Sequence, residues 1–313
     1  MSRVAVLKGG RSLEREVSLR SGQNAEAALR RLGHDVLPID VGPELVATLR
    51  AERPDAAFIA LHGKGGEDGS VQELLEILGV PYTGPGVLAC QRSWDKVVAK
   101  AHFAAAGVPT PPAYAVSQVA FRERGAGEAL GDIRDSLGLP LVVKPAKQGS
   151  SLGISMVHEA GELAGALMTA MSYDDRVLME THVAGRELAV SVVGSDDPWA
   201  LPVVEAIPRG RDFYDFEARY TPGLTDFVAP ADIDEATSQE AARLAIACYR
   251  ALGCRGVSRA DMILDGAGAL WVIEVNAIPG MTDTSLLPMA AEASGLGFDG
   301  VVERILADAA LGD

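Results

Sequence analysis

Arg259–Leu286 reads RADMILDGAGALWVIEVNAIPGMTDTSL. Two apolar runs, MIL and ALWVIEV, flank Asp265-Gly266-Ala267-Gly268, the composition of a β-hairpin with a glycine-rich turn. Side chains on a strand alternate between faces, so Glu274 and Asn276 share one. With an even number of turn residues, Leu264 pairs with Ala269 and Asp261 falls opposite Val272. Asp261 then lies one diagonal step from Glu274 on the same face, about 7–8 Å away between Cα atoms. Two carboxylates and an amide oxygen thus converge on an otherwise apolar strand pair, and like charges this close need a cation. All-oxygen ligands suit Mg²⁺, and so few of them suit a Mg²⁺ that also holds phosphate oxygens. The Gly-Pro loop that follows fits, because functional loops hang from strand ends.

Working outward, the chain has 313 residues, enough for two or three domains. Hydrophobic residues make up 48% and charged residues 23%, a globular balance, and the formal net charge is −15. That acidity argues against nucleic acid or an anionic membrane as partner, so anionic ligands must meet local Lys and Arg. The three cysteines, Cys90, Cys248 and Cys254, form no CxxC pair, which fits a reducing cytoplasm. MSRVAVLKGG reads as a strand running into glycines rather than a signal peptide. No apolar run approaches the ~18 residues of a membrane span.

Val4–Leu7 and Asp55–Leu61 are expected to be buried strands. Each leads through a glycine turn into a helix. The first helix shows Val17, Ser21, Ala25, Ala28 and Leu32 on one face, and the second shows Val71, Leu74, Leu75 and Leu78. This alternation predicts an open parallel sheet over residues 1–95, with ligand loops at Lys8–Glu14 and His62–Ser70. A helix at Asp95–Ala106 follows, then strands at Leu139–Lys144, Ile154–Val157, Val177–Glu180 and Glu187–Val193. Residues 96–182 read as an α+β unit. Residues 183–313 read as a third, with an irregular segment at Pro208–Pro230 and a helix at Glu235–Leu252 before the acidic hairpin.

Gln148-Gly149-Ser150-Ser151-Leu152-Gly153 is a candidate phosphate loop, because glycine permits close backbone approach and N–H groups in a tight loop form an anion nest. It is not a Walker loop and joins strand to strand, so no helix dipole contributes. Lys144 just before it and Lys96 are candidate cations. Gly84–Ala89 matches a dinucleotide fingerprint on paper, but Pro85 and the lack of a preceding strand make it a turn. His62, after a strand, is a candidate substrate ligand. Ser150 does not sit in a G-x-S-x-G elbow, so it is not a hydrolase nucleophile.

Taken in order, GGRSLEREVSLRSG, ALHGKGGEDGSVQELLEILGVPYTGPG, DKVVAK, VVKPAKQGSSLGIS, FYDFEARY, RADM and EVNAIPGMTDTSLLP resemble the D-alanine–D-alanine ligases of the ATP-grasp superfamily. The resemblance covers nearly the whole chain. It implies a three-domain α/β fold with ATP between the sheets of the central and C-terminal domains. It assigns Glu14 to the ammonium of the first D-alanine, with Ser150 and Tyr220 hydrogen-bonded to it. Lys96 and Lys144 would bind phosphates beside the loop serine Ser151, Glu180 and Val183 would meet adenine, and Glu187 the ribose. Asp261, Glu274 and Asn276 would hold two Mg²⁺ or Mn²⁺ ions. Arg259 and the Gly280 N–H would stabilise an oxyanion, and Ser285 and Leu286 would hold the second carboxylate.

Two positions depart from the family pattern. Arg219 stands where the family usually has Lys before the loop tyrosine, exchanging a point charge for a planar fork near the γ-phosphate. Ala277 replaces a threonine beside the metal residues. The expected activity is ATP-dependent joining of two D-alanines in a cytoplasmic homodimer, for peptidoglycan precursor synthesis. Rivals are a ligase forming D-alanyl-D-lactate or D-alanyl-D-serine, a secondary-metabolite ligase, and a non-catalytic nucleotide sensor. Tyr220 argues against the lactate branch, which resemblance would give a histidine, and Arg259, Asp261, Glu274 and Asn276 argue against a sensor.

Overall fold

The computed structural model describes residues 1–210, 221 and 223–312. The chain opens with β1 (Arg3–Lys8), α1 (Arg15–Arg31), β2 (Asp35–Asp40), α2 (Leu45–Glu52), β3 (Ala56–Ile59), α3 (Ser70–Leu78), α4 (Val87–Trp94) and α5 (Lys96–Ala105). The strands form a parallel sheet in the order β2-β1-β3. β3 is buried along its whole length, as its unbroken apolar run demands. The turns after β1 and β3 therefore open at the carboxyl edge of the sheet, where open α/β folds hold ligands. The strand β2 was not legible in the sequence: DVLPID carries a proline, tolerated because β2 is an edge strand.

Next come β4 (Ala113–Ser117), α6 (Gln118–Glu123), α7 (Leu130–Leu137), β5 (Leu141–Pro145), β6 (Ser155–Val157), α8 (Leu163–Met171) and β7 (Arg176–Thr181). They form a four-stranded antiparallel sheet, β4-β7-β5-β6, whose core includes Leu141, Val143, Leu167 and Met179. The third sheet has six strands: β8 (Gly185–Val193), β9 (Trp199–Ala200), β10 (Val204–Pro208), β11 (Thr225–Val228), β12 (Val257–Asp265) and β13 (Leu270–Asn276). Helix α9 (Glu235–Leu252) covers one face. It starts at an N-cap, Asp234, whose side chain accepts from the Thr237 N–H, and stops at Gly253 in the left-handed conformation. Helices α10 (Leu286–Ala293) and α11 (Gly297–Ala307) close the chain.

The cores interlock. Val4, Val6, Leu29 and Phe58 of the parallel sheet layer pack in one cluster with Leu287, Val301, Val302 and Ile305. Ala99 and Phe103 of α5 pack under the third sheet with Tyr249 and Val272. Truncating a fully buried Phe such as Phe103 costs about 3–5 kcal/mol.

Three expectations are corrected. Leu264 pairs with Leu270, not Ala269, so the turn is one residue longer than assumed. A β-bulge then intervenes: Met262 pairs with Val272 but Asp261 with Glu274, leaving Ile273 as the extra residue. Asp261 is thus directly opposite Glu274 rather than Val272. The physical reason is burial: Leu270, Val272 and Val275 all join the core, and an odd step between the two valines needs a bulge. Second, part of the irregular Pro208–Pro230 segment is ordered, because β11 pairs antiparallel with β10. Third, Gly84–Ala89 is not only a turn: Gly86 caps α4, which begins at Val87.

Candidate active site

Two antiparallel sheets and the edge of the parallel sheet meet around adjoining clefts. The larger cleft encloses about 230 Å³ and is lined by Lys144, Ser151, Glu180, Val183, Glu187, Asp261 and Glu274. These are the residues expected at nucleotide and metal. Lys144 on β5 pairs with Leu178 of β7, which puts it one diagonal step from Glu180. Its ammonium hydrogen-bonds to Glu180 Oε1. Lys100 approaches Glu180 Oε2 from α5 at 2.9 Å. Burial alone would raise the Glu180 pKa, but the two ammoniums outweigh it and hold it below the ordinary carboxylate range. Burial pushes Lys100 the other way, down from the ordinary lysine value.

Asp95 caps α5 by accepting from the Val97 and Val98 N–H groups, which fixes Lys96 as the first helical residue. Lys96 Nζ donates to the Gln148 carbonyl at 2.6 Å and lies 3.3 Å from Glu274 Oε2. A narrow cleft joins Lys96, Gly149, Glu274 and Asn276. Across the hairpin, Arg259 forks onto Asp261 at 2.7 and 2.9 Å, and Asn276 Nδ2 donates to Asp261 Oδ2 at 3.1 Å. The paired carboxylates therefore already meet basic side chains of the protein, Arg259 at Asp261 and Lys96 at Glu274. The donor set still fits Mg²⁺: three oxygen-bearing side chains, too few for a closed cage and suited to an ion that keeps waters and phosphate oxygens.

The second cleft is lined by Glu14, His62, Ser150, Arg259, Asn276, Gly280, Ser285 and Leu286, joining all three sheets' loops. Glu14 is buried, and Ser150 Oγ donates to its Oε1. Space here is tight: a Cβ on Gly63 would lie 2.4 Å from Glu14 Oε2, and one on Gly149 would lie 2.7 Å from the same atom. Ser150 and Ser151 both adopt the left-handed region, at φ 50° and 57°. Such strain for a non-glycine residue is characteristic of ligand loops. His62 Nε2 lies 2.8 Å from Ser21 Oγ, which also accepts from the Met281 N–H at 3.1 Å. Ser285 Oγ accepts from the Thr282 N–H at 3.0 Å, and a Cβ on Gly280 would lie 2.7 Å from it.

The structure thus brings together every expected site residue that it describes. Arg219, Tyr220 and the FYDFEARY motif lie outside the described residues. Sequence reasoning missed Lys100, although its spacing of four from Lys96 on a helix was a signal. It read Ser21 only as a helix-face residue, and its link from His62 to Met281 depends on tertiary packing.

A nucleotide-sized cleft between two antiparallel sheets, with paired carboxylates at one end and a parallel-sheet layer beside it, defines the ATP-grasp architecture. The D-ala D-ala ligase C-terminus family model matches residues 102–307, and the D-ala D-ala ligase N-terminus model matches residues 44–85. The chain belongs to the D-alanine–D-alanine ligase family. It is 46% identical over 304 residues to a D-alanine–D-alanine ligase of Moorella thermoacetica, covering 97% of this chain and 98% of the relative. A crystal structure of D-alanine–D-alanine ligase from Bacillus anthracis superposes with a TM-score of 0.85 at 32% identity, over 98% of this chain and 97% of that one. A structure of the Bacillus anthracis ligase complexed with ATP gives 0.81 at 30% identity, with the same coverage.

Proposed function

We propose that the chain joins two D-alanines at the expense of ATP, yielding D-alanyl-D-alanine, ADP and phosphate for peptidoglycan precursor synthesis. The observation that carries this reading is the meeting of Glu14 and Ser150, from different sheets' loops, in a cleft shared with Arg259, Gly280 and Ser285. That cleft adjoins the one lined by Lys144, Glu180 and the hairpin carboxylates. In this reading the units are 1–95, 96–182 and 183–313, each holding one sheet, and the protein is a cytoplasmic homodimer. Among the described residues, no helix is long and apolar enough to cross a membrane.

ATP occupies the larger cleft, with adenine at Glu180 and Val183, ribose at Glu187, and phosphates at Lys96, Lys144 and Ser151. Asp261, Glu274 and Asn276 would hold two Mg²⁺ ions, or Mn²⁺, and ions bound there neutralise phosphate charge and make the γ-phosphoryl group more electrophilic. Glu14 and Ser150 fix the ammonium of the first D-alanine so that its carboxylate faces the γ-phosphate. Attack there forms an acyl phosphate and releases ADP. The second D-alanine is held by its carboxylate at Ser285 and Leu286, and its amine attacks the acyl carbon. Arg259 and the Gly280 N–H stabilise the oxyanion, which collapses and expels phosphate. Positioning and charge neutralisation supply the catalysis. Water must be excluded, since it would hydrolyse the acyl phosphate. Arg219 and Tyr220 are proposed, on their sequence alone, as the γ-phosphate cation and a hydroxyl partner of Ser150.

Product analysis by mass spectrometry tests the reading. With ATP, Mg²⁺ and a mixture of D-alanine, D-serine, D-lactate and L-alanine, D-alanyl-D-alanine should dominate. Predominance of D-alanyl-D-lactate, or of a dimer containing L-alanine, would overturn it.

A further inference from the structure

Lys100 stands behind the larger cleft without lining it. It is buried; its ammonium donates to Thr110 Oγ1 at 2.6 Å and to the Pro111 carbonyl at 3.0 Å, and it lies 2.9 Å from Glu180 Oε2 as an ion pair. Two hydrogen bonds outside the cleft therefore fix its position. Lys144 is different: among the described residues its hydrogen bond is to Glu180. Glu180 therefore lies between one anchored cation and one with freedom to leave. Both Glu180 and Lys144 are almost wholly buried.

A phosphate entering beside Lys144 must draw that ammonium away from Glu180. If Lys144 were the sole counter-charge, its departure would strand a buried carboxylate, and removing one partner of a buried ion pair is strongly unfavourable. We propose that Lys100 is a positioning residue: it is the stationary counter-charge of Glu180, and it frees Lys144 to exchange Glu180 for a phosphate. The geometry divides the labour between the two lysines. One is clamped by a hydroxyl and a carbonyl outside the cleft, and the other faces into it. The inference rests on ATP occupying this cleft.

The test uses the full chain carrying Lys100→Met, which keeps length and removes the charge. ATP affinity is measured by calorimetry, and KM for ATP and for D-alanine by kinetics. The Kd and KM for ATP should rise about tenfold or more, because Lys144 is then held by an otherwise unpaired Glu180. KM for D-alanine should change less than about twofold. A merely structural lysine would lower thermal stability and the active fraction without selective loss of ATP affinity. Unchanged ATP affinity in Lys100→Met, or equal rises in KM for ATP and for D-alanine, overturns the proposal. If Lys100→Met does not fold, Thr110→Val loosens one anchor and should weaken ATP by about twofold to threefold; no change there overturns it too. A wild-type chain that binds no ATP would sink the proposed function along with this inference, whereas normal wild-type binding with an unaffected variant sinks the inference alone.

Discussion

Single residues at the hairpin show how the site is balanced before any ligand arrives. The sequence alone suggests that Asp261 and Glu274 repel each other and that neutralising one relieves strain. In the folded chain Asp261 is forked by Arg259 and Glu274 lies 3.3 Å from Lys96, so each charge already has a partner. Glu274→Gln is therefore expected to leave the melting temperature without nucleotide unchanged or lower by a few degrees. It should reduce kcat on the order of 10³-fold, because the proposed metal site loses one of its two carboxylates. Steady-state kinetics and a thermal melt check both, and near-wild-type turnover would remove Glu274 from the metal site. Alternation along one strand was enough to place Glu274 and Asn276 together. Glu14 and Ser150 are 136 residues apart, and no local pattern links them. They were legible only through the resemblance of their motifs to a family. Lys100 left only its spacing of four from Lys96 as a signal, and a helical lysine so placed usually points to water.

At the scale of elements, the bulge in β13 is what makes the acidic face. Val272 and Val275 are both in the core, and Ile273 is the residue that lets Glu274 turn out between them. A flat hairpin was the natural reading of the sequence, since neither glycine nor proline marks the bulge. Deleting Ile273 should restore regular pairing while keeping Glu274 opposite Asp261, because Met262 still pairs with Val272 and Glu274 becomes the next residue. The expected result is a folded protein by circular dichroism whose turnover falls by less than about tenfold; a loss as large as that of Glu274→Gln would contradict the role given to the bulge. The cluster joining β5, β7 and α5 gives a pH dependence. The Glu180 pKa is depressed below its ordinary value of 4.5, because Lys144 and Lys100 outweigh its burial. The unfolded chain binds this proton more readily, so the contribution to stability is complete above the ordinary value. It is lost as pH falls through the depressed folded value. Denaturant unfolding of wild type and Glu180→Gln across pH 3 to 7 should show a steeper acid loss in wild type; parallel curves would contradict it.

For the whole molecule, the second cleft exists only because three sheets are locked around it. Helix α11 packs with α1 in one core, and Arg31 on α1 grips Asp299 on α11 at 2.5 and 2.8 Å. Asn24 of α1 reaches the Met281 carbonyl at 3.0 Å, next to the Gly280 loop. The parallel sheet and the acidic hairpin were each readable from periodicity, because their patterns are local. Their mutual placement was not, since it depends on α10 and α11 returning to the first layer. The net charge of −15 makes the site's cations conspicuous: Lys96, Lys100, Lys144 and Arg259 all gather where the proposed polyanion lies. The central claim is that this assembly activates one D-alanine carboxylate as an acyl phosphate and passes it to a second D-alanine. The most direct measurement supplies D-alanine labelled with ¹⁸O in its carboxylate, together with ATP and Mg²⁺, and follows ADP, phosphate and dipeptide by mass spectrometry. The account predicts that ADP appears only when D-alanine is present, in step with D-alanyl-D-alanine, and that each phosphate carries one labelled oxygen. ADP formed without D-alanine, or phosphate released without label, would contradict it.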